Sequence, residues 1–347
     1  MKLSMILKAV LATALSAVAF TAFADKPAPM NFEGNPGGVR FLEEGQPPVI
    51  IHPTVEGMKN FRDSFANIRK PSHGGGHGGG GGSTNLTYHG GVGGIGVETA
   101  PKIYLVLWGS QWNNNDPSGE AATLESFIGS IGGSSWFNSV TQYCQGVASG
   151  TTFCNGAGTP AGNQPNMYAG VWADNGSATP NSPSQSQIAA EAVRAAQHFG
   201  NTTAASNASV NYIIALPTGV SPTGFKTQYC AYHSSTSASF GGNVAYTNLP
   251  YLTDAGASCG ANFNGLGPNA GITIVSGHEM AEAASDQFPN GGWLDGSGSE
   301  NGDKCAWIAT GTAGASADVT MNGNTFPVQS LWSNAANNDA GGCVLSY

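Results

Sequence analysis

Ser276-Gly277-His278-Glu279-Met280-Ala281-Glu282-Ala283-Ala284-Ser285-Asp286 concentrates the chemistry-bearing residues of the chain. The stretch reads as a helix, because residues four apart share a helical face. His278 and Glu282 then lie one turn apart and can converge on one ion, with Glu279 on an adjoining face. The usual zinc-hydrolase helix is H-E-x-x-H, two histidine ligands and a glutamate base. Here Glu282 stands at the second ligand position, and carboxylate oxygen is an accepted zinc ligand.

A third ligand has to come from downstream. In thermolysin-like zinc enzymes a glutamate beyond the helix supplies it. Glu300 and Asp303 are placed to do so, and Asp286, two turns after His278, is a further candidate. In such a site His278, Glu282 and Glu300 hold zinc and leave a fourth position to water, whose pKa falls to ~7. Glu279 is the catalytic residue. It accepts the water proton and passes it to the leaving group. Two carboxylate ligands make the ion less electrophilic and would suit a harder ion such as calcium or manganese. The bland reading is a helix whose carboxylates form a solvated face.

Asp295 to Asp303 resembles a calcium loop, with oxygens at alternate positions, but it lacks the EF-hand glycine and final glutamate. His233, in Tyr229-Cys230-Ala231-Tyr232-His233, reads as a loop histidine that a Cys230–Cys259 bridge could bring near the helix. There is no G-x-S-x-G elbow and no phosphate-binding glycine loop.

The N-terminus reads as a secretory signal. Lys2 and Lys8 precede an apolar run from Ala9 to Phe20, and Ala22-Phe23-Ala24 forms a small-x-small cleavage site. Residues 1–24 are therefore expected to be removed. The apolar run is shorter than the ~20 residues that span a bilayer, so no membrane insertion is expected. Secretion, extracellular or periplasmic, fits the six cysteines. Pairing of sequence neighbours is expected: Cys144–Cys154, Cys230–Cys259 and Cys305–Cys343.

Net charge is −9. From residue 72 onward four basic residues stand against fifteen acidic ones. That balance argues against nucleic acid and anionic membrane as partners, since both need basic patches. An extracellular peptide or a cell-wall polymer fits better. Six of the acids lie between Glu279 and Asp303, and clustered like charges need a counter-charge or protons. A bound cation is the economical answer.

Residues 25–71 read as a propeptide or tether, and 72–91 as a Gly/His-rich linker with His73 and His77. Residues 92–347 fit a single domain. Ile103–Trp108, Met167–Trp172 and Tyr212–Leu216 read as strands. Ala121–Ile131 and Gln185–Phe199 read as helices. The alternation predicts an α/β (or α+β) fold. It would be a single layered domain with a mixed sheet, helices and long disulfide-stapled loops. The apolar stretch Gly271–Val275 leads into the His278 helix.

The ordered array Cys230-Ala-Tyr-His233, Cys259, His278-Glu279-Met-Ala-Glu282, Trp293, Glu300-Asn-Gly-Asp303-Lys-Cys305, Leu331-Trp332 and Cys343 resembles the phosphate-induced protein family of plants, also called EXORDIUM-like, and its bacterial relatives. Those proteins show C-G-F-H, H-E-L-A-E, a tryptophan, E-I-A-D-x-C, a late L-W and a final cysteine. The likeness runs from about residue 100 to 347. It departs at Asp286, where asparagine is usual, and in the histidine–glycine linker. The resemblance implies an extracellular or cell-wall-associated protein and supplies no biochemical activity. Two functions follow as expectations. One is a secreted metal-dependent hydrolase, peptidase-like, with zinc. The alternative is a non-catalytic binding or signalling protein with structural calcium.

Overall fold

The computed structural model describes residues 36–68 and 85–347. The expected signal segment and residues 72–84 of the expected linker lie outside them. Seven strands form one mixed sheet: β1 (Gly38–Arg40), β2 (Val49–Pro53), β3 (Lys102–Trp108), β4 (Tyr168–Asp174), β5 (Val210–Ala215), β6 (Tyr229–Ser237) and β7 (Asn243–Leu249). Their order is β1-β2-β6-β7-β5-β3-β4. β7, β5, β3 and β4 run parallel, whereas β1, β2 and β6 pair antiparallel. β3 and β5 are mainly apolar. β5 is buried at all six positions, as strands covered on both sides must be.

Four helices matter: α1 (Val55–Ile68), α2 (Glu120–Ile131), α3 (Gln185–His198) and α4 (Ala270–Ser285). α3 begins with a capping box. Ser184 Oγ accepts from Gln187 N at 3.2 Å, and Gln187 Oε1 accepts from Ser184 N at 2.9 Å. α4 packs on α2 and against β6 and β7. Side chains alternate across a strand. In β6, His233 reaches Glu279 of α4 at 3.2 Å, while its neighbour Ser234 points to the opposite face of the sheet. His233 therefore faces the α4 side.

The expected α/β architecture is present, with the three predicted strands and the helices at 121–131 and 185–199 displaced by at most two residues at their ends. Three features differ from expectation. α4 starts at Ala270, so Gly271–Val275 is the helix itself and not its approach. All sixteen of its residues are buried, and a helix buried all round has no polar face to mark its start. Residues 36–68 fold into the sheet and end in α1. Finally, Thr87–Tyr88 pairs with Trp293–Leu294, so part of the expected linker belongs to the folded body.

The three expected disulfides are formed: Cys144–Cys154, Cys230–Cys259 and Cys305–Cys343. They fit an oxidising compartment. Among the described residues no helix is long and apolar enough to cross a membrane.

Candidate metal centre

α4 carries His278, Glu279 and Glu282 into the interior, each at 0% exposure. The solvated-face reading of these carboxylates is thereby excluded. His278 Nε2 stands 3.0 Å from Glu282 Oε1 and 3.9 Å from Asp303 Oδ1. The Asp303–Cys305 turn brings Asp303 here. Asp303 N donates to Glu282 Oε1 at 2.8 Å, fixing that carboxylate. His278, Glu282 and Asp303 thus offer three donor atoms within 4.8 Å of one another.

Gly302 makes the approach feasible. A Cβ there would lie 2.7 Å from His278 Nδ1 and 2.8 Å from Glu282 Oε1. His278 Nδ1 instead meets Gln329 Oε1 at 3.2 Å, and Gln329 Nε2 donates to the Gly302 carbonyl at 2.9 Å. A partner on one ring nitrogen sets the tautomer and leaves the other for a metal, as is usual for ligating histidines.

His233 anchors a second group of donors. It lies in β6, not in a loop. Its Nδ1 is 3.2 Å from Glu279 Oε2 and 3.6 Å from Glu282 Oε2, and its Nε2 is 3.6 Å from Glu300 Oε2. Glu300 therefore stands beside His233, and its carboxyl also meets those of Glu282 and Asp286. Asp286 is otherwise occupied. Its carboxylate accepts from the backbone N–H groups of Asn290, Gly291 and Gly292 at 2.8, 3.0 and 2.6 Å. Asp295 likewise accepts from Ser297 and Ser299 and pairs with Lys304 at 2.6 Å. The calcium-loop reading thus loses its first ligand to internal hydrogen bonds.

Sequence reasoning missed His52. It comes from β2, is fully buried, and stacks on His278 with ring centroids 3.9 Å apart. Trp307 stacks on it in turn at 4.8 Å. Val49-Ile50-Ile51 was the available strand signal, but the flanking prolines read as a tether.

The electrostatics call for a cation. Burial raises Glu279 to about 8, against the pull of neighbouring His233. Burial also drives Glu282, Glu300 and Asp303 well above the ordinary carboxylate range, and mutual repulsion adds to it for Glu300 and Asp303. His278 is lowered to about 4 by burial, although Asp303 opposes this. Without a cation the carboxyl groups hold protons while His278 stays neutral; a metal exchanges for protons at such a site. Several polar atoms here have no hydrogen-bond partner: His278 Nε2, His233 Nε2, Glu279 Oε1 and Asp303 Oδ1. Burying such groups unpaired is costly, and native interiors rarely do so. Histidine nitrogen with carboxylate oxygen is a donor set suited to zinc and its neighbours. The His/Glu groups could hold a metal ion.

The chain matches none of the protein-family models, curated proteins or solved structures with which it was compared.

Proposed function

We propose that this chain is a secreted metal-dependent hydrolase, peptidase-like, with zinc at His278, Glu282 and Asp303. We place it, on its ordered motifs, near the phosphate-induced, EXORDIUM-like proteins. One observation carries the reading: unpartnered buried donors converge around His278 while Glu279 stands alongside with Oε1 free of any hydrogen bond. A divalent ion in this place supplies Lewis acidity toward a carbonyl and toward water. Glu279 Oε1 takes the proton of the attacking water and returns it to the leaving amine. His233 holds Glu279 through Oε2 and orients it. Glu300, on the far nitrogen of His233, is a positioning residue or a donor to a second ion.

Complete burial favours a second reading. A closed site, in which no donor is more than 3% exposed, is what a structural ion in a non-catalytic extracellular binding protein requires, and carboxylate-rich donors suit calcium.

Glu279→Gln separates the two. The variant keeps size and metal but cannot take a proton. On a broad peptide mixture the hydrolase reading expects a 10²–10⁴-fold loss of cleavage with metal content unchanged. Because His52 stacks on His278, both proteins are assayed with residues 36–68 removed; absence of turnover by the zinc-loaded wild type would leave the structural reading.

A further inference from the structure

The sheet order puts β1 and β2 outside β6. Without them β6 would be an edge strand, offering backbone N–H and C=O groups for pairing. β6 also carries His233. β2 runs antiparallel along it, with Val49 opposite Ser234, Ile50 opposite His233, Ile51 opposite Tyr232 and His52 opposite Ala231. An extended strand laid on this edge passes directly over the candidate centre. Strand addition to a sheet edge is a general way to bind extended peptides.

β2 delivers one side chain into the centre. His52 has both ring nitrogens unpartnered at 0% exposure. It offers a nitrogen within 4.8 Å of donors from His278 and Glu279. It therefore fills the space beside Glu279, where a substrate's reacting group has to sit. The residue before β1 reaches the centre as well. The Gly37 backbone lies against the Asp303 carboxylate so closely that a side chain would collide with it, and the charge of Arg40 reaches Asp303.

The attachments of this segment are noncovalent. The Trp307 indole donates to the Pro53 carbonyl at 2.7 Å. Arg62 donates to the Trp307 carbonyl at 2.8 Å and to the Ala306 carbonyl. No disulfide reaches it, since all three bridges lie between Cys144 and Cys343. In the sequence it joins the remainder through residues 69–84, with glycine at 74–76 and 78–82.

We propose that residues 36–68 are an intramolecular plug: β2 occupies the β6 edge that an extended peptide takes as substrate, His52 fills the reacting position, and the centre opens when the segment leaves. The substrate part rests on the hydrolase reading; the plug itself does not.

The test uses the full chain with a specific protease site placed within residues 74–82. The protein is stripped of metal, cut, and separated from the segment in mild urea. Diethyl pyrocarbonate modification of His278 and His233, mapped by mass spectrometry, reports opening without any need for metal or activity. Both histidines should be unreactive in the uncut protein and modified at least about tenfold faster once the segment is gone. A synthetic peptide of residues 36–68 should restore protection, and its His52→Ala version should restore less. Unchanged protection after the segment has been removed overturns the plug. So does removal that succeeds only with loss of the near-ultraviolet dichroism of the remainder. If the histidines become reactive but the zinc-loaded, segment-free protein cleaves no peptide, the plug stands and the hydrolase reading falls.

Discussion

His278 Nε2 and Glu282 Oε1 face each other at 3.0 Å across one turn of α4, and His278 Nε2 forms no hydrogen bond. Such a pair is arranged for a third atom between them. His278→Ala is therefore expected to remove one divalent ion per chain, measured by elemental analysis. Ion binding to the native state stabilises it by about 2.7 kcal/mol at a hundredfold excess over Kd. Thermal unfolding with and without chelator should differ by an amount of that order in the wild-type protein and not at all in the variant. Equal metal in both proteins would place the ion elsewhere.

Gln329 tests the second layer. It touches His278 Nδ1 through Oε1 and holds the Gly302 carbonyl through Nε2. Loss of such an orienting contact typically costs 10–100-fold in metal affinity. Gln329→Ala should therefore weaken binding by about that factor without abolishing it, as read by competition with a fluorescent chelator. Affinity equal to wild type would mean that the ring is held by its stack on His52 alone.

The part of the site on α4 was legible because its chemistry is local: His278, Glu279 and Glu282 declare themselves by spacing. The apolar strands β3, β4 and β5 were legible for the same reason, as was the disulfide pairing by sequence neighbours. The helical nature of 270–275 was hidden, because a helix buried on every side shows no 3.6-residue alternation. β6 and β7 were hidden by their serines, threonines and asparagines, which read as loop. The choice of Asp303 over Glu300 beside His278 depends on how one turn folds back, which spacing does not encode. His52 was out of reach altogether. Its strand pairs with residues about 180 positions away, and strand register is set by tertiary packing rather than by local sequence.

Glu98 gives a pH signature separable from the metal centre. Burial raises its carboxyl to about 8, so it folds as the neutral acid. A group whose folded pKa is raised contributes stability that is complete below its unfolded pKa of about 4.5 and lost as pH rises through about 8. Metal-free wild-type protein should thus lose stability between roughly pH 4.5 and 8. One such group contributes a slope of at most about 1.4 kcal/mol per pH unit. Glu120, also raised to about 8 by burial, acts in the same direction. In Glu98→Gln the share due to Glu98 should vanish while the rest of the slope remains. Urea unfolding at pH 5, 6, 7 and 8 measures the difference; superimposable slopes would mean that Glu98 is ionised in the fold.

The last prediction concerns two disulfides with different duties. Cys305–Cys343 closes 38 residues and fixes the Asp303–Cys305 turn that presents a donor to His278. Cys144–Cys154 closes 10 residues and carries no donor at either end. In the chain-entropy account, removing the first costs about 3–4 kcal/mol and the second about 2–3 kcal/mol. Stability alone would hardly tell them apart. Metal affinity should: Cys305→Ala/Cys343→Ala is expected to bind the ion at least about tenfold more weakly, because Asp303 must then be ordered by the ion itself. Cys144→Ala/Cys154→Ala should bind as the wild type does while unfolding at a lower denaturant concentration. Equal affinities in the two double variants would show that the Asp303 turn is held by its bond to Glu282 and not by the bridge.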